Sequence, residues 1–574
     1  MLNINKNNLS SEKSLYLQQH KNNPVNWQTW SEEIFQISKE KKIPIILSIG
    51  YASCHWCHVM AHESFEDGTT AKYMNKNFIN IKVDREERPD IDFVFQSSFQ
   101  LFNQSSGGWP LTAFLDENGI PFSVGTYFPK KKVGALPTFL EVLEKVKTAY
   151  DLQRDKIISQ SKLIKNGLTL KKNSVLNQSL EPILETSMAN LDKLNGGFIG
   201  APKFPHFIFF ETLLYFYNKT EKEIYIQPVE KLLNSLCSEG IYDHVEGGVS
   251  RYTIDEKWLV PHFEKMFYDN VQFVSLISKF CKVKKNKYFE KKLTETINFL
   301  MKNFICKNSG LMGSAYDADS DGKEGEYYTF YYDEIKSIKN IEKYFEINPN
   351  GNWEGKIILR EIGECDEFTK EKLRGIRQGK IKPSFDNKAQ SDLNSMWISA
   401  LIEANKILPN NGYLAMAQDL YNKMFKKYEN GLFHCFDKKI VFLENYAFYI
   451  KANLDLYDAT FNIEYKNEAI KNIKTCDVDF YNETYKIYQK NLKSKKDIFI
   501  EPIDISDHTI PNGNSIMLSN HCRVGGSNIA TELSRSLHGY LNIYKNYMTS
   551  AIKALDYYEA KKTKLNCDEN GCKI

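Results

Sequence analysis

No stretch of this 574-residue chain approaches the roughly 18–20 consecutive apolar residues of a membrane-spanning helix, so no membrane span is expected. An excess of charge is missing too. The 75 Lys and Arg against 72 Asp and Glu leave a formal net charge of +3, which gives no reason to expect nucleic acid or an acidic membrane as partner. The start, Met1 to Lys6, runs on into polar residues rather than an apolar core, so no secretory signal is expected and the chain reads as cytoplasmic. Its eleven cysteines are odd in number and mostly far apart, which excludes a disulfide framework and fits a reducing compartment. A short repeat of fixed period is also absent, which argues against an open solenoid.

What is present is enough apolar material for several cores. Hydrophobic residues make up 42% and aromatics 13% of the chain, and its length predicts two to four domains. One stretch carries the most chemistry. Pro44 introduces Ile45, Ile46, Leu47 and Ile49, which read as a buried strand. Gly50 to Ser53 supply a turn, and Cys57 to Phe65 can continue as a helix. Cys54 then stands where a helix begins, close to unpaired N–H groups and the positive end of the helix dipole, a setting that favours thiolate. Cys57 lies about one turn further on and can close a disulfide onto it. A strand, then Cys-x-x-Cys, then a helix is the thioredoxin-like redox signature.

Other readings of the same residues stand beside it. Two buried structural cysteines would need no chemistry. Cys54-x-x-Cys57-His58 also matches c-type haem attachment, which requires an exported protein. Cys54, Cys57, His58 and His62 are a conceivable four-ligand zinc set. The redox reading is preferred, and with it no metal and no cofactor. Downstream, Phe78 to Asp84 alternates as a half-buried strand. Pro110 then stands at the entrance of Leu111–Leu115, which is joined through an Asn118-Gly119 turn to Ile120–Val124 as a hairpin. Thioredoxin-like folds hold a cis-proline at this place, against the dithiol. A helix with Ile34, Phe35 and Ile37 on one face packs on the sheet, and helical sequence runs from Leu136 to about Leu170. The first domain is therefore 1–165, followed by a linker at 166–178.

From 179 to 574 the texture changes to helical patterns of 12–18 residues separated by long loops rich in Gly, Pro and Asp. Helices are expected at 180–194, 207–217, 228–237, 268–280, 291–304, 393–407, 413–428, 444–460, 464–475 and 529–544. Such pairs fit an all-α (α/α)6 toroid, with the aromatic run Glu326–Tyr332 as a small hairpin. Helix interiors carry packing residues, so the candidate barrel pocket is read from the loops. It comprises Asp243, His244, Arg251, Trp258, His262, Glu264, Asp269, Asp317 and Asp319. Rings beside carboxylates and imidazoles suit a sugar ligand, and paired acids and bases suit proton transfer on it. Asp317, Asp319 and Asp321 also begin like a calcium loop, but its twelfth position, Tyr328, lacks the required Glu. Cys567 and Cys572 read as part of a polar tail.

Taken together, Gly50–Met60, Val83–Asp92, Gly107–Pro110, Gly125–Pro129, Gly200–Pro205, Gly240–His244, Trp258–Met266 and Asp317–Ser320 resemble the spermatogenesis-associated protein 20 family. That family joins a thioredoxin-like domain to a barrel of the six-hairpin glycosidase type. The resemblance implies a thiol–disulfide function, with Cys54 attacking, Cys57 resolving and Pro110 shaping the groove for a protein dithiol or disulfide partner. It also places Asp84 and Arg85 near the dithiol. The alternatives are a sugar epimerase or glycoside hydrolase-like barrel with a regulatory or structural thioredoxin-like domain, and a non-enzymatic interaction protein. The chain departs from the family pattern at Asn387, Leu393, Ser395, Asn445, Glu246 and Ser250, which weakens the expectation of barrel catalysis. Gly125–Pro129, with Trp27 or Trp30, is expected to dock the first domain on the barrel.

Overall fold

The computed structural model describes residues 3–134, 136–171, 179–427, 431–435, 440–565, 567–568 and 571–572, with side chains to 561 except at 546. The chain forms two compact units, 1–172 with 489–504 and 173–488 with 505–574. The expected boundary near 166–178 is thus joined by a second excursion, in which 489–504 returns to the first unit. The helix before that boundary runs to Leu168, inside the expected linker, and 172–178 lie outside the described residues.

The first unit contains α1 (Leu15–Gln19), β1 (Trp27–Gln28), α2 (Glu32–Lys41), β2 (Ile45–Gly50), α3 (His55–Met60), α4 (Gly68–Asn77), β3 (Ile79–Asp84), α5 (Pro89–Asn103), β4 (Leu111–Leu115), β5 (Pro121–Gly125), α6 (Phe139–Leu152) and α7 (Arg154–Leu168). Its sheet has the order β1-β3-β2-β4-β5. β2 runs parallel to β3 and antiparallel to β4, and all six of its residues are buried. This explains why Ile45, Ile46, Leu47 and Ile49 read as a continuous apolar run rather than an alternation. The Asp116–Gly119 turn of the β4–β5 hairpin is held by Asp116 Oδ1, which accepts from the amides of Asn118 and Ile120 at 2.9 and 3.0 Å. Gly119 takes φ +75° there, where L side chains are strained. The returning segment is built into this unit: Asn491 donates to Asp90 at 2.9 Å, Arg88 to Asp497 at 2.9 Å, and Phe499 packs on Phe95. Trp30, expected at a docking face, donates to the Asp497 carbonyl at 3.2 Å, and Trp27 is wholly buried.

The second unit contains α8 (Leu180–Met188), α9 (Phe207–Thr220), α10 (Glu223–Ser238), α11 (Phe267–Val283), α12 (Lys287–Asn303), α13 (Tyr332–Ile335), α14 (Ile341–Tyr344), α15 (Glu367–Gln378), α16 (Ser391–Ile407), α17 (Tyr413–Lys427), α18 (Leu443–Thr460), α19 (Ile463–Asp479), α20 (Gly513–Arg523), α21 (Asn528–Tyr544) and α22 (Thr549–Leu565). Helices α9, α11, α16, α18, α20 and α22 each pack on the next, and α22 packs back on α9 to close the ring. The outer partners are α10, α12, α17, α19 and α21, with α8 against α22. This is an (α/α)6 toroid. Its inner helices are buried on most faces; α11 and α16 bury nearly every residue of their first three turns.

A repeat does exist, although no fixed period announces it. Outer helices are followed by a tight antiparallel pairing: Leu191 with Phe198, Tyr242 with Val249, Ile305 with Met312, and Tyr481 with Tyr488. In three cases an Asn near the start of the next inner helix clamps the last of these residues through both its amide and its carbonyl. Asn270 holds Val249 at 2.8 and 2.9 Å, Asn394 holds Met312 at 2.8 and 3.0 Å, and Asn514 holds Tyr488 at 2.8 and 3.0 Å. Each clamp satisfies backbone groups that would otherwise be buried without partners. The insertion between α12 and α16 hides the period, and it forms a small core of its own around Phe330, Ile335, Phe345 and Leu373.

Two expectations are corrected. The Glu326–Tyr332 run is not a hairpin. Phe330 makes a lone bridge to Ile357 and Tyr332 starts α13, because the rings of this run pack on Arg377 and Phe263 instead of pairing as strands. Helices α13, α14, α15, α20 and α22 lay outside the predicted set. Among the described residues no helix is long and apolar enough to cross a membrane. The side chains of Cys567 and Cys572 lie outside the described residues.

Candidate functional site

The first candidate is built by β2. The strand delivers Gly50 to the rim of the sheet, and Cys54 becomes the N-cap of α3 in extended conformation. Its Sγ accepts from the Cys57 amide at 3.2 Å, so the sulfur occupies the place where a helix start favours negative charge. Cys54 and Cys57 form a disulfide with Cα atoms 5.2 Å apart. Beyond Cys57 the helix continues as a π turn over Ala61–Phe65. The β2–β4 register sets Ile49 against Leu111 and so brings the cis Trp109–Pro110 bond beside the turn that carries the dithiol.

Around this centre the sequence supplies one exposed ring and a buried polar cluster. Trp56 is 49% exposed and lies 5.2 Å from the Tyr127 ring. Tyr127 donates to Glu63 at 2.6 Å; burial and that carboxylate push its hydroxyl up to about 12. Arg85 lies 4.0 Å over Trp109 and 5.4 Å from Tyr51, while the Trp109 indole donates to Asp92 at 2.9 Å. Asp84 pairs with Gly50 in the sheet and accepts from Ser14 at 2.6 Å. Asp84 is therefore the last residue of the strand next to the one that delivers the dithiol, and Arg85 opens the turn that follows it.

Below the dithiol, a Cβ added to Gly50 would lie 2.7 Å from Cys57 Sγ and 2.3 Å from the Tyr16 hydroxyl, so only glycine fits. Lys82, 1% exposed, donates to Ser48 at 3.1 Å and lies among the Phe65, Trp27 and Tyr16 rings at 4.3, 4.9 and 5.0 Å. Burial pushes its amine well below the usual lysine value. Burial, with Lys82 nearby, likewise pushes His20 down. Of the four residues of the zinc alternative, both sulfurs are joined to each other here and His62 bonds Glu66 at 3.0 Å. Among the described residues no group of three or more His, Cys, Asp and Glu is arranged to hold a metal.

The loop residues of the toroid separate into three sets. Asp243 receives Lys265 at 2.6 Å and Arg377 at 2.8 Å, and against the effect of burial these cations hold its carboxyl well below the usual range. His244 bonds Glu361 and the Glu239 carbonyl, each at 3.0 Å, and Trp258, wholly buried, donates to the Asn195 carbonyl at 3.0 Å. These three residues join loops to one another. A second set does converge: Arg251 reaches Glu264 at 3.0 Å, His262 lies 3.5 Å from Glu264 and 2.6 Å from Glu324, and the Tyr252 ring stacks on His262. The third set holds the inserted loop. Asp317 accepts from the Asp319 amide at 3.1 Å and from Ser384 at 3.1 Å, and Asp319 pairs with Glu324 in a two-residue ladder. Asp269 is buried in the first turn of α11. Asn445, one of the departures, is used structurally: it accepts from the Phe442 amide at 2.8 Å and meets His434 at 2.9 Å.

The toroid axis holds something the loops did not announce. A cavity is bordered by residues of all six inner helices, among them Glu211, Lys279, Met396, Lys451, Ser515 and Lys553. None of the nine loop candidates borders it. A signal was present: charged residues in the middle of otherwise apolar helices, such as Lys279 in α11.

Comparison with known proteins fits both units. A family described as a protein of unknown function, DUF255, under the heading Thioredox_DsbH, matches residues 6–169. The chain is similar to an uncharacterized protein of Caenorhabditis elegans, at 32% identity with 90% of this chain and 80% of that one covered. It is similar to the human spermatogenesis-associated protein 20 at 27% identity, covering 91% of this chain and 76% of that one. Among solved structures, cellobiose 2-epimerase of Spirochaeta thermophila shares 9% identity at a TM-score of 0.43, covering 67% of this chain and 94% of that one. The molecule is thus a thioredoxin-like domain joined to an (α/α)6 toroid. The chain belongs to the spermatogenesis-associated protein 20 family.

Proposed function

We propose that the chain is a thiol–disulfide oxidoreductase acting on protein partners. The Cys54 thiolate attacks a partner disulfide, forming a Cys54–partner bond and releasing one partner thiolate. Cys57, as thiolate, then attacks Cys54 Sγ; the second partner thiolate leaves, and the Cys54–Cys57 disulfide closes. Two electrons pass to the partner, and the reverse sequence oxidises it. The observation that supports this best is the closed Cys54–Cys57 pair at the start of α3, with the Cys57 amide directed at Cys54 Sγ. Pro110 and the exposed Trp56 would border the partner chain. The test is titration of the purified protein against glutathione buffers, with alkylation and mass mapping. A two-electron Cys54–Cys57 couple is the expected result; thiols reduced at every poise, or bound to zinc, would overturn the proposal.

The axial cavity favours a second reading for the toroid, as a container for a small organic ligand. Charged side chains and an apolar wall meet there, the mixture of polar and apolar lining that marks pockets for small ligands.

A further inference from the structure

The six inner helices bring an unusual set of charges to the axis. Lys279 of α11 lies 2.8 Å from Glu211 Oε1 of α9, and Lys553 of α22 donates to the same oxygen. Two ammonium groups therefore share one carboxylate. Across the ring, on α18, Lys451 bonds Asp455 at 2.5 Å, and Arg523 of α20 bonds that carboxylate at 2.7 Å. The cavity surface itself carries Lys279, Lys451 and Lys553 against Glu211 alone. These lysines keep 26%, 32% and 35% of their side-chain surface although they stand in the middle of a helix ring, because the cavity adjoins them.

The rest of the wall is divided. Phe448, Met396 and Ile516 make an apolar side. Ser515, 1% exposed and on the cavity wall, carries a buried hydroxyl with no hydrogen-bond partner. A buried hydroxyl without a partner is costly to keep unless something binds it.

We propose that the axial cavity binds a small organic anion, a phosphate- or carboxylate-bearing molecule. Its charged group meets Lys279, Lys451 and Lys553, its uncharged body lies against Phe448, Met396 and Ile516, and Ser515 donates to it. The inference rests on the second reading above, of the cavity as a ligand site, and adds the sign of the ligand's charge and the residues that read it. Charge-assisted hydrogen bonds to phosphate or carboxylate are the strong ones, and a low-dielectric wall strengthens them. Lys553 fits this picture: burial, with Lys279 and Lys451 nearby, pushes its amine below the usual value in spite of Glu211. A bound anion opposes each of those effects.

The experiment uses the full chain, with inorganic phosphate, glucose 6-phosphate, glucuronate and glucose as probes in calorimetric titration and thermal shift. Glucose 6-phosphate or glucuronate should bind at least tenfold more tightly than glucose, and which of the two does so tells phosphate from carboxylate. Inorganic phosphate reports how far the charged group suffices. Lys553→Met should weaken binding at least tenfold. Glu211→Gln should tighten it several-fold and enlarge the thermal shift, since both ammonium groups lose their internal partner. If Lys553→Met does not fold, Lys279→Gln and Glu211→Gln carry the same test. Equal binding of glucose and glucose 6-phosphate would overturn the charge assignment while leaving the cavity reading intact. Absence of binding by all four probes would overturn both. Unchanged affinity in Lys553→Met and Glu211→Gln would place the anion elsewhere and overturn the proposal.

Discussion

The dithiol and the toroid axis place polar groups by opposite means. At the dithiol, eight consecutive residues from Gly50 to Cys57 make the reactive group, and the supporting side chains come from β3 and the segments beside it, among them Tyr16, Phe65, Lys82, Arg85 and Trp109. On the axis, residues from six helices, spread between positions 208 and 553, make the surface. The two sites also differ in what their loops do. In the first unit a loop positions chemistry; in the second, loop charges such as Asp243, Lys265 and Arg377 satisfy one another and fix the loops. A buried charge with two close partners and two backbone amides already has its coordination filled. Charged residues in a loop mark function only when something there is left to bind.

Asp243→Asn gives the sharpest test of that contrast, because the variant leaves Lys265 and Arg377 buried with their main anion removed. Breaking a buried ion pair from one side costs about 3–5 kcal/mol. Urea unfolding followed on toroid tryptophans should show a loss of that size, while the redox couple of Cys54–Cys57 stays where it was. If Asp243→Asn kept its stability and lost the response to a ligand, the loop charges would be functional and the contrast would fail.

Gly50→Ala has a smaller expected effect, confined to the first unit. The new methyl would overlap the Tyr16 hydroxyl at 2.3 Å and Cys57 Sγ at 2.7 Å, both buried. Overpacking of this kind typically costs about 1–3 kcal/mol. Thermal unfolding should lower the transition of the first unit and leave that of the second. An unchanged first-unit transition would mean that the space beneath the dithiol is looser than the structure has it.

Much of this was legible in the chain and some was not, for physical reasons. β2, the turn and Cys54 could be read because strand, turn and helix start each carry local signals. Ten of the toroid helices could be read because their apolar stripes are periodic. α20, Gly513–Arg523, was hidden because it is short and buried on nearly all sides while rich in Ser and Asn, so it shows no stripe; Asn514 serves the Tyr488 clamp and Asn520 donates to the Ala447 carbonyl at 2.9 Å. The return of 489–504 to the first unit was hidden as well. Its partners, Asp90 and Phe95, lie about 400 positions away, and no local pattern encodes such a pairing. The axial lysines were passed over because a lysine in a helix ordinarily faces water, and only ring closure turns that face inward.

Lys82 gives the smallest and most specific prediction, a dependence of first-unit stability on pH. Its amine is 1% exposed, donates to Ser48, and is surrounded by the Tyr16, Trp27 and Phe65 rings. The titratable neighbours are Tyr16, His20 and Asp84. Burial lowers the folded-state value of Lys82 well below that of the unfolded chain, about 10.4. Between those two values the unfolded state binds more protons than the folded one. Stability therefore rises with pH across that window, with a slope of up to about 1.4 kcal/mol per pH unit, and the gain is complete above the unfolded value. His20 is shifted in the same direction but finishes titrating near pH 6.5 when unfolded. Tyr16, shifted upward by burial and Asp84, acts with the opposite sign, and only above about pH 10. The clean interval is thus about pH 7 to 9.5. Lys82→Met keeps the volume and removes the charge, so its stability at pH 7 should exceed that of the parent, and its slope through the interval should be flatter. Hydrogen exchange of the β2 amides, corrected for the intrinsic rate, reads this locally and ignores buried lysines of the toroid. Equal slopes in parent and variant would show that Lys82 stays charged in the fold, with an anion supplied at its side.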